Sequence, residues 1–83
     1  MSKPMRAKVV CREVKILETC EIVVFRPVCK QDGPYPADGS DENNTFAKWS
    51  PAGEFSLTIT NPALLGTYRP GQVFYVDFTP TAL

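Results

Sequence analysis

Between Met5 and Cys11 the chain alternates. Met5, Ala7, Val9 and Cys11 fall on one face, and Arg6, Lys8 and Val10 on the other. A period of two marks a strand with one buried face. Beyond Arg12 the phase slips, because Val14 and Ile16 become the apolar positions. The slip predicts an interruption near Arg12 and Glu13, a bulge that returns the apolar side chains inward. A short helix from Glu13 to Glu18 is the competing reading, and its β-branched content weighs against it.

A second strand is expected from Cys20 to Cys29, where Ile22, Val23, Val24 and Phe25 run without interruption, as in a strand covered on both sides. Pro27 cannot donate to a ladder and marks an edge or the strand's end. Leu17, Glu18 and Thr19 would turn the first strand into the second. Residues 30–44 carry almost no apolar side chains and contain two Asp-Gly pairs, which predicts a long polar loop. A short strand is expected at Thr45 to Trp49, then a turn at Ser50 to Gly53. Glu54 to Thr60 alternates cleanly, with Phe55, Leu57 and Ile59 on one face. Asn61 to Gly66 reads as one helical turn, with Asn as cap, Pro at the first position and Gly after the end. A turn at Tyr68 to Gly71, of type II, launches a last strand from Gln72 to Thr79. The sum is an all-β domain of five strands, a small antiparallel barrel or sandwich with one helical turn at 61–66.

Composition narrows this picture. Eighty-three residues hold one core, and a chain of this size buries only about 60% of the surface exposed by its unfolded form. Eight prolines and five glycines favour short strands and turns over long helices. The formal charge of zero is unevenly spread. Residues 1–30 hold seven basic and three acidic side chains, and residues 31–83 hold two basic and six acidic. Either the molecule is dipolar, which suits association with a charged partner, or the halves cancel within one sheet. Cys11, Cys20 and Cys29 are odd in number and form no C-x-x-C pair. With no apolar run long enough for a signal peptide or a membrane span, the expectation is a cytosolic product with reduced thiols, apolar in their setting. A Cys11–Cys20 bridge across the hairpin is the alternative.

Candidate chemistry is sparse. The chain has no histidine, the commonest general base and a frequent metal ligand. No base or cationic helix end stands near a cysteine in sequence to activate it. Asp38, Ser40, Asp41, Glu42 and Asn43 are hard oxygen donors, but their spacing does not match the twelve-residue EF-hand loop, so a solvated acidic loop is expected. Aromatics such as Phe25, Tyr35, Phe46, Trp49, Tyr68 and Tyr75 could stack bases while Arg6, Lys8, Arg12 and Lys15 track phosphate. Zero net charge opposes that reading, since phosphate affinity rests on clustered positive charge. Tyr68 to Phe74 resembles the strand entry of the flavin-binding barrels of ferredoxin reductases. Their flavin-contacting Arg-x-Tyr-Ser/Thr motif is missing here, so no flavin site is expected.

Four stretches, Met5–Lys8 (MRAK), Gly39–Pro51 (GSDENNTFAKWSP), Leu57–Leu64 (LTITNPAL) and Pro70-Gly71 with Phe74–Pro80 (FYVDFTP), resemble a group of short hypothetical proteins of tailed bacteriophages. The resemblance implies a product acting in the virion or in the cytoplasm of the infected host. It brings no assigned catalytic residues, metal or cofactor. The expectation is a non-enzymatic structural or interaction protein, such as a capsid-associated cement or decoration subunit. The alternative is a binding protein aimed at a host defence or replication enzyme, or at single-stranded nucleic acid. A protein partner is expected, of phage or host origin, or a second copy of the chain, and no membrane. Tyr35, Asp38, Asp41, Glu42, Phe46 and Trp49 are the candidate partner-binding residues, because they join a polar loop to anchoring aromatics. Equally, Phe46 and Trp49 could simply fill the core.

Overall fold

The alternating positions become the strands of a single antiparallel sheet. A computed structural model describes residues 4–83, with β1 at Met5–Ile16, β2 at Glu21–Pro27, β3 at Phe55–Ile59 and β4 at Val73–Phe78. The spatial order is β3-β2-β1-β4. The fourth strand thus returns beside the first, the order of a Greek key. The sheet curls into a half-barrel.

The phase slip in β1 is a bulge. Cys11 faces Phe25 and Glu13 faces Val24, so Arg12 is the extra residue. The bulge keeps Cys11 and Val14 on the same side despite their odd separation, and it adds local twist and bend. Leu17 N–H donates to Cys20 C=O at 2.9 Å and closes the hairpin into β2.

The inward face collects Ala7, Val9 and Cys11 of β1, Val23 and Phe25 of β2, and Ile59 of β3. Val9, Cys11 and Val23 are almost completely buried. Each large apolar side chain buried this way contributes about 2 kcal/mol. Phe25 is the hub of the aromatics, stacked on Phe55 at 4.9 Å and meeting Phe74 and Tyr68 edge-on at 5.9 and 6.2 Å. On the outward face Ile22 and Val24 are half-buried by their neighbours in the sheet. No second layer lies over them among the described residues, contrary to the expectation that β2 is covered on both sides.

Asn61 caps a 3-10 turn at Pro62–Leu64, its side chain accepting from Ala63 N–H at 3.0 Å. The crossover is pinned to β2 by Glu21, whose buried carboxylate accepts the Gly66 N–H at 2.9 Å. Gln72 N–H closes the next turn on Arg69 C=O, with Gly71 at φ +95° in its third position. That is the type II geometry for which glycine is suited.

The expected five strands are four, because Thr45 to Trp49 is not a strand. Its residues form successive turns, with Asn44 N–H on Asp41 C=O and Ala47 N–H on Asn44 C=O. Asn44 and Thr45 spend their hydrogen bonds on β1, and Trp49 takes a left-handed backbone at φ +63°. A strand could hold neither these turns nor that left-handed residue.

Deleting Arg12 leaves every inward-facing residue in register, because the ladder then passes from Cys11 to Glu13 without a gap. We expect that variant to unfold in urea within about 1 kcal/mol of the natural chain. Deleting Val10 throws Ala7 and Val9 outward and abolishes the cooperative transition.

Candidate functional site

β1 has twelve residues and β2 only seven. The side of β1 that β2 covers at Val10 is therefore left open toward its N-terminal end. The last rung is Val28 N–H donating to Lys8 C=O at 2.8 Å, after which the chain leaves the sheet. Backbone groups stranded there must find other partners, and the loop between β2 and β3 supplies them. Thr45 N–H donates to Arg6 C=O at 3.0 Å, and its hydroxyl accepts Arg6 N–H at 2.8 Å. Asn44 Oδ1 accepts Lys8 N–H at 2.9 Å. Its Nδ2 donates to Val28 C=O at 2.8 Å and to Asp41 Oδ2 at 3.2 Å.

Asn44 is only 1% exposed. Both its donors and its acceptor oxygen are engaged, which is the condition for burying an amide without penalty. Asp41 is buried beside it, contrary to the solvated acid expected. Its Oδ1 accepts Asn43 N–H at 3.0 Å, so this carboxylate braces the loop from within.

The clamp fixes the outer part of the loop. Gly39 N–H bonds Pro36 C=O, and Trp49 N–H bonds Gly39 C=O at 2.8 Å. Gly39 is buried at φ +74°, and a Cβ there would overlap the Trp49 ring. Only glycine lets the indole rest on that backbone. Tyr35 stands at the other side, its ring centroid 5.7 Å from that of Trp49 and its hydroxyl accepting Lys30 N–H at 3.2 Å. Trp49 keeps 51% of its surface exposed while holding a left-handed backbone that a bulky residue rarely adopts. The indole is displayed rather than stored.

Asp38 and Glu42 are exposed on the same loop. Hydrogen bonds from the Ser40 hydroxyl and then its N–H hold Asp38 below the ordinary carboxylate range, so it stays charged. An open recess of about 480 Å³ lies among Ser40, Glu42, Phe46 and Lys48. Phe46 is half-buried and packs against the core. Of the six candidate residues, Tyr35, Asp38, Glu42 and Trp49 reach the surface, Phe46 bridges surface and core, and Asp41 faces inward.

Asn44 and Gly39 do most to build this surface, and neither was a candidate from sequence. Gly39 carried a signal in its Asp-Gly pair, which indicates a turn. A buried asparagine has no signature in a run of polar residues.

On the sheet's outward face, Arg6 pairs with its cross-strand neighbour Asp77, Nε to Oδ1 at 2.6 Å. Its guanidinium lies 4.4 Å from the Tyr75 ring centroid, and the Tyr75 hydroxyl donates to Asn43 Oδ1 at 2.9 Å. The hydrogen bond from Arg6, helped by its charge, lowers the Asp77 pKa. The three cysteines are free thiols. Among the described residues no three Cys, Asp or Glu side chains converge as metal ligands would, and no helix is long and apolar enough to cross a membrane.

Asn44→Ala strands Lys8 N–H and Val28 C=O, and urea denaturation should register a loss of about 3 kcal/mol. Gly39→Ala should displace the indole, changing the emission of the chain's one tryptophan, while the far-ultraviolet circular dichroism stays sheet-like. Asp77 has its pKa depressed by folding, so its contribution to stability is present above the ordinary carboxylate range and is lost as pH falls through the lowered value. Below about pH 4 the natural chain should therefore lose stability more steeply than Asp77→Asn.

Comparison with known protein families, curated proteins and solved structures finds no match for this chain.

Proposed function

We propose that this chain is a non-enzymatic structural or interaction protein that grips a protein partner through the Trp49 and Tyr35 knob. In the setting implied by its resemblance to phage proteins, it serves as a capsid-associated cement or decoration subunit. The observation that carries this reading is the half-exposed indole, held in a left-handed backbone over Gly39. Strained backbones persist where the surroundings enforce them, and they cluster at binding sites. A rigid, half-exposed tryptophan beside a tyrosine is the composition of an interface anchor. Asp38 and Glu42 would favour a basic patch on the partner.

Binding of single-stranded nucleic acid draws less support. Tyr75, the aromatic nearest the basic residues of β1, already carries the Arg6 guanidinium near its ring and has its hydroxyl bonded. Arg6 itself is neutralised by Asp77.

The test is whether the chain sediments with purified particles of the phage that encodes it. Many copies per particle are expected. Trp49→Ala should fall at least about tenfold in occupancy while keeping its fold. Particles free of the chain would contradict the structural role and turn attention to a host target.

A further inference from the structure

We infer that two copies of this chain join their half-barrels into a closed eight-stranded barrel, with β3 of each copy paired to β4 of the other. The first support is shape. The molecule measures 48 × 33 × 17 Å, with a radius of gyration of 14.9 Å, where a globular chain of this length has about 12 Å. Domains are built from packed layers, and here, among the described residues, one curled sheet has only crossing loops over it.

The second support is area. The chain exposes 6220 Å², whereas a folded monomer of its mass exposes about 4,900 Å². The exposed run 79–83 contributes part of the difference. Two copies bring an excess of roughly 2,600 Å² to share, which lies in the range of obligate homodimers. Apolar side chains make up much of what remains open on the concave side. Leu57 is 54% exposed, Phe78 48% and Met5 38%, and all three share a face with the core residues. Met5 and Phe78 border a groove that reaches inward to Ala7 and Val9.

The third support is strand direction. β1 and β3 run one way, β2 and β4 the other. A second copy turned about an axis parallel to the strands places its β3 beside the first copy's β4, and its β4 beside the first copy's β3. Both new pairings are antiparallel, so the barrel closes without a break in alternation. Eight strands leave an interior that side chains can fill. The edges are open to this pairing. β3, with sequence FSLTI, has no charge or proline, and the one charge of β4, Asp77, is held by Arg6. Natural edge strands are normally guarded by such features. A single strand from another protein would cover one edge and leave the concave face bare.

The dimer pairs the edges of β3 and β4, neither of which includes Trp49, and does not rest on the proposed partner role. Sedimentation equilibrium of the full chain should give twice its 9.2 kDa mass. Leu57→Arg, at a position half-exposed in the single copy, should return the mass to that of one chain with the strand circular dichroism retained. Val73→Arg on the outward face and Trp49→Ala should leave the dimer intact. Amide exchange should slow with concentration in both 55–59 and 73–78. A monomer at every concentration, an open-ended series of oligomers, or protection of only one edge would overturn the closed barrel.

Discussion

The mismatch in length between β1 and β2 is the constraint on which the rest of this structure depends. A twelve-residue strand beside a seven-residue one leaves main-chain groups at Arg6 and Lys8 without a ladder partner. The Lys8 N–H is part-buried, and a main-chain group shielded from water costs too much unpaired in a domain of marginal stability. Asn44 and Thr45 complete the ladder with one side-chain amide, one hydroxyl and one main-chain N–H. Because the stretch that completes the sheet is a pair of tight turns, the segment after it is delivered to a fixed place. That segment carries Phe46 to the core and Trp49 to the surface.

The same economy shapes the sheet. The bulge at Arg12 bends β1, and the bend gathers Phe25, Phe55, Tyr68 and Phe74 on its concave side. Four strands bend far enough to make half a barrel but leave two edges and part of the inner face open. The outward face relies on its own cross-strand pairs, of which Arg6 with Asp77 is the best formed. The surface divides by task. The loop displays an anchored indole, and the concave face offers apolar area and free strand edges.

Much of this was legible in the sequence because side-chain period is a local property. The alternation from Met5 to Cys11, the slip at Arg12, the clean strand ending at Ile59 and the cap at Asn61 each announce themselves within a few residues. The long polar loop was legible too, but its internal structure was not. Thr45 to Trp49 alternates well enough to resemble a strand. What decides otherwise is contact with Arg6 and Lys8, more than thirty residues away. Asp41 is buried for the same reason: its partner Asn44 is held by a strand that the local sequence does not reveal. Candidate site residues chosen for exposure and aromatic character therefore fell on the right segment, while the residues that shape it, Asn44 and Gly39, carried little or no local signal.

Residue-resolved amide hydrogen exchange of the full chain tests the clamp most directly. If Asn44 and Thr45 complete the ladder, the amides of Arg6 and Lys8 exchange as slowly as that of Val10, which β2 covers. Exchange of Arg6 and Lys8 at the rate of free amides, with Val10 protected, would contradict the account.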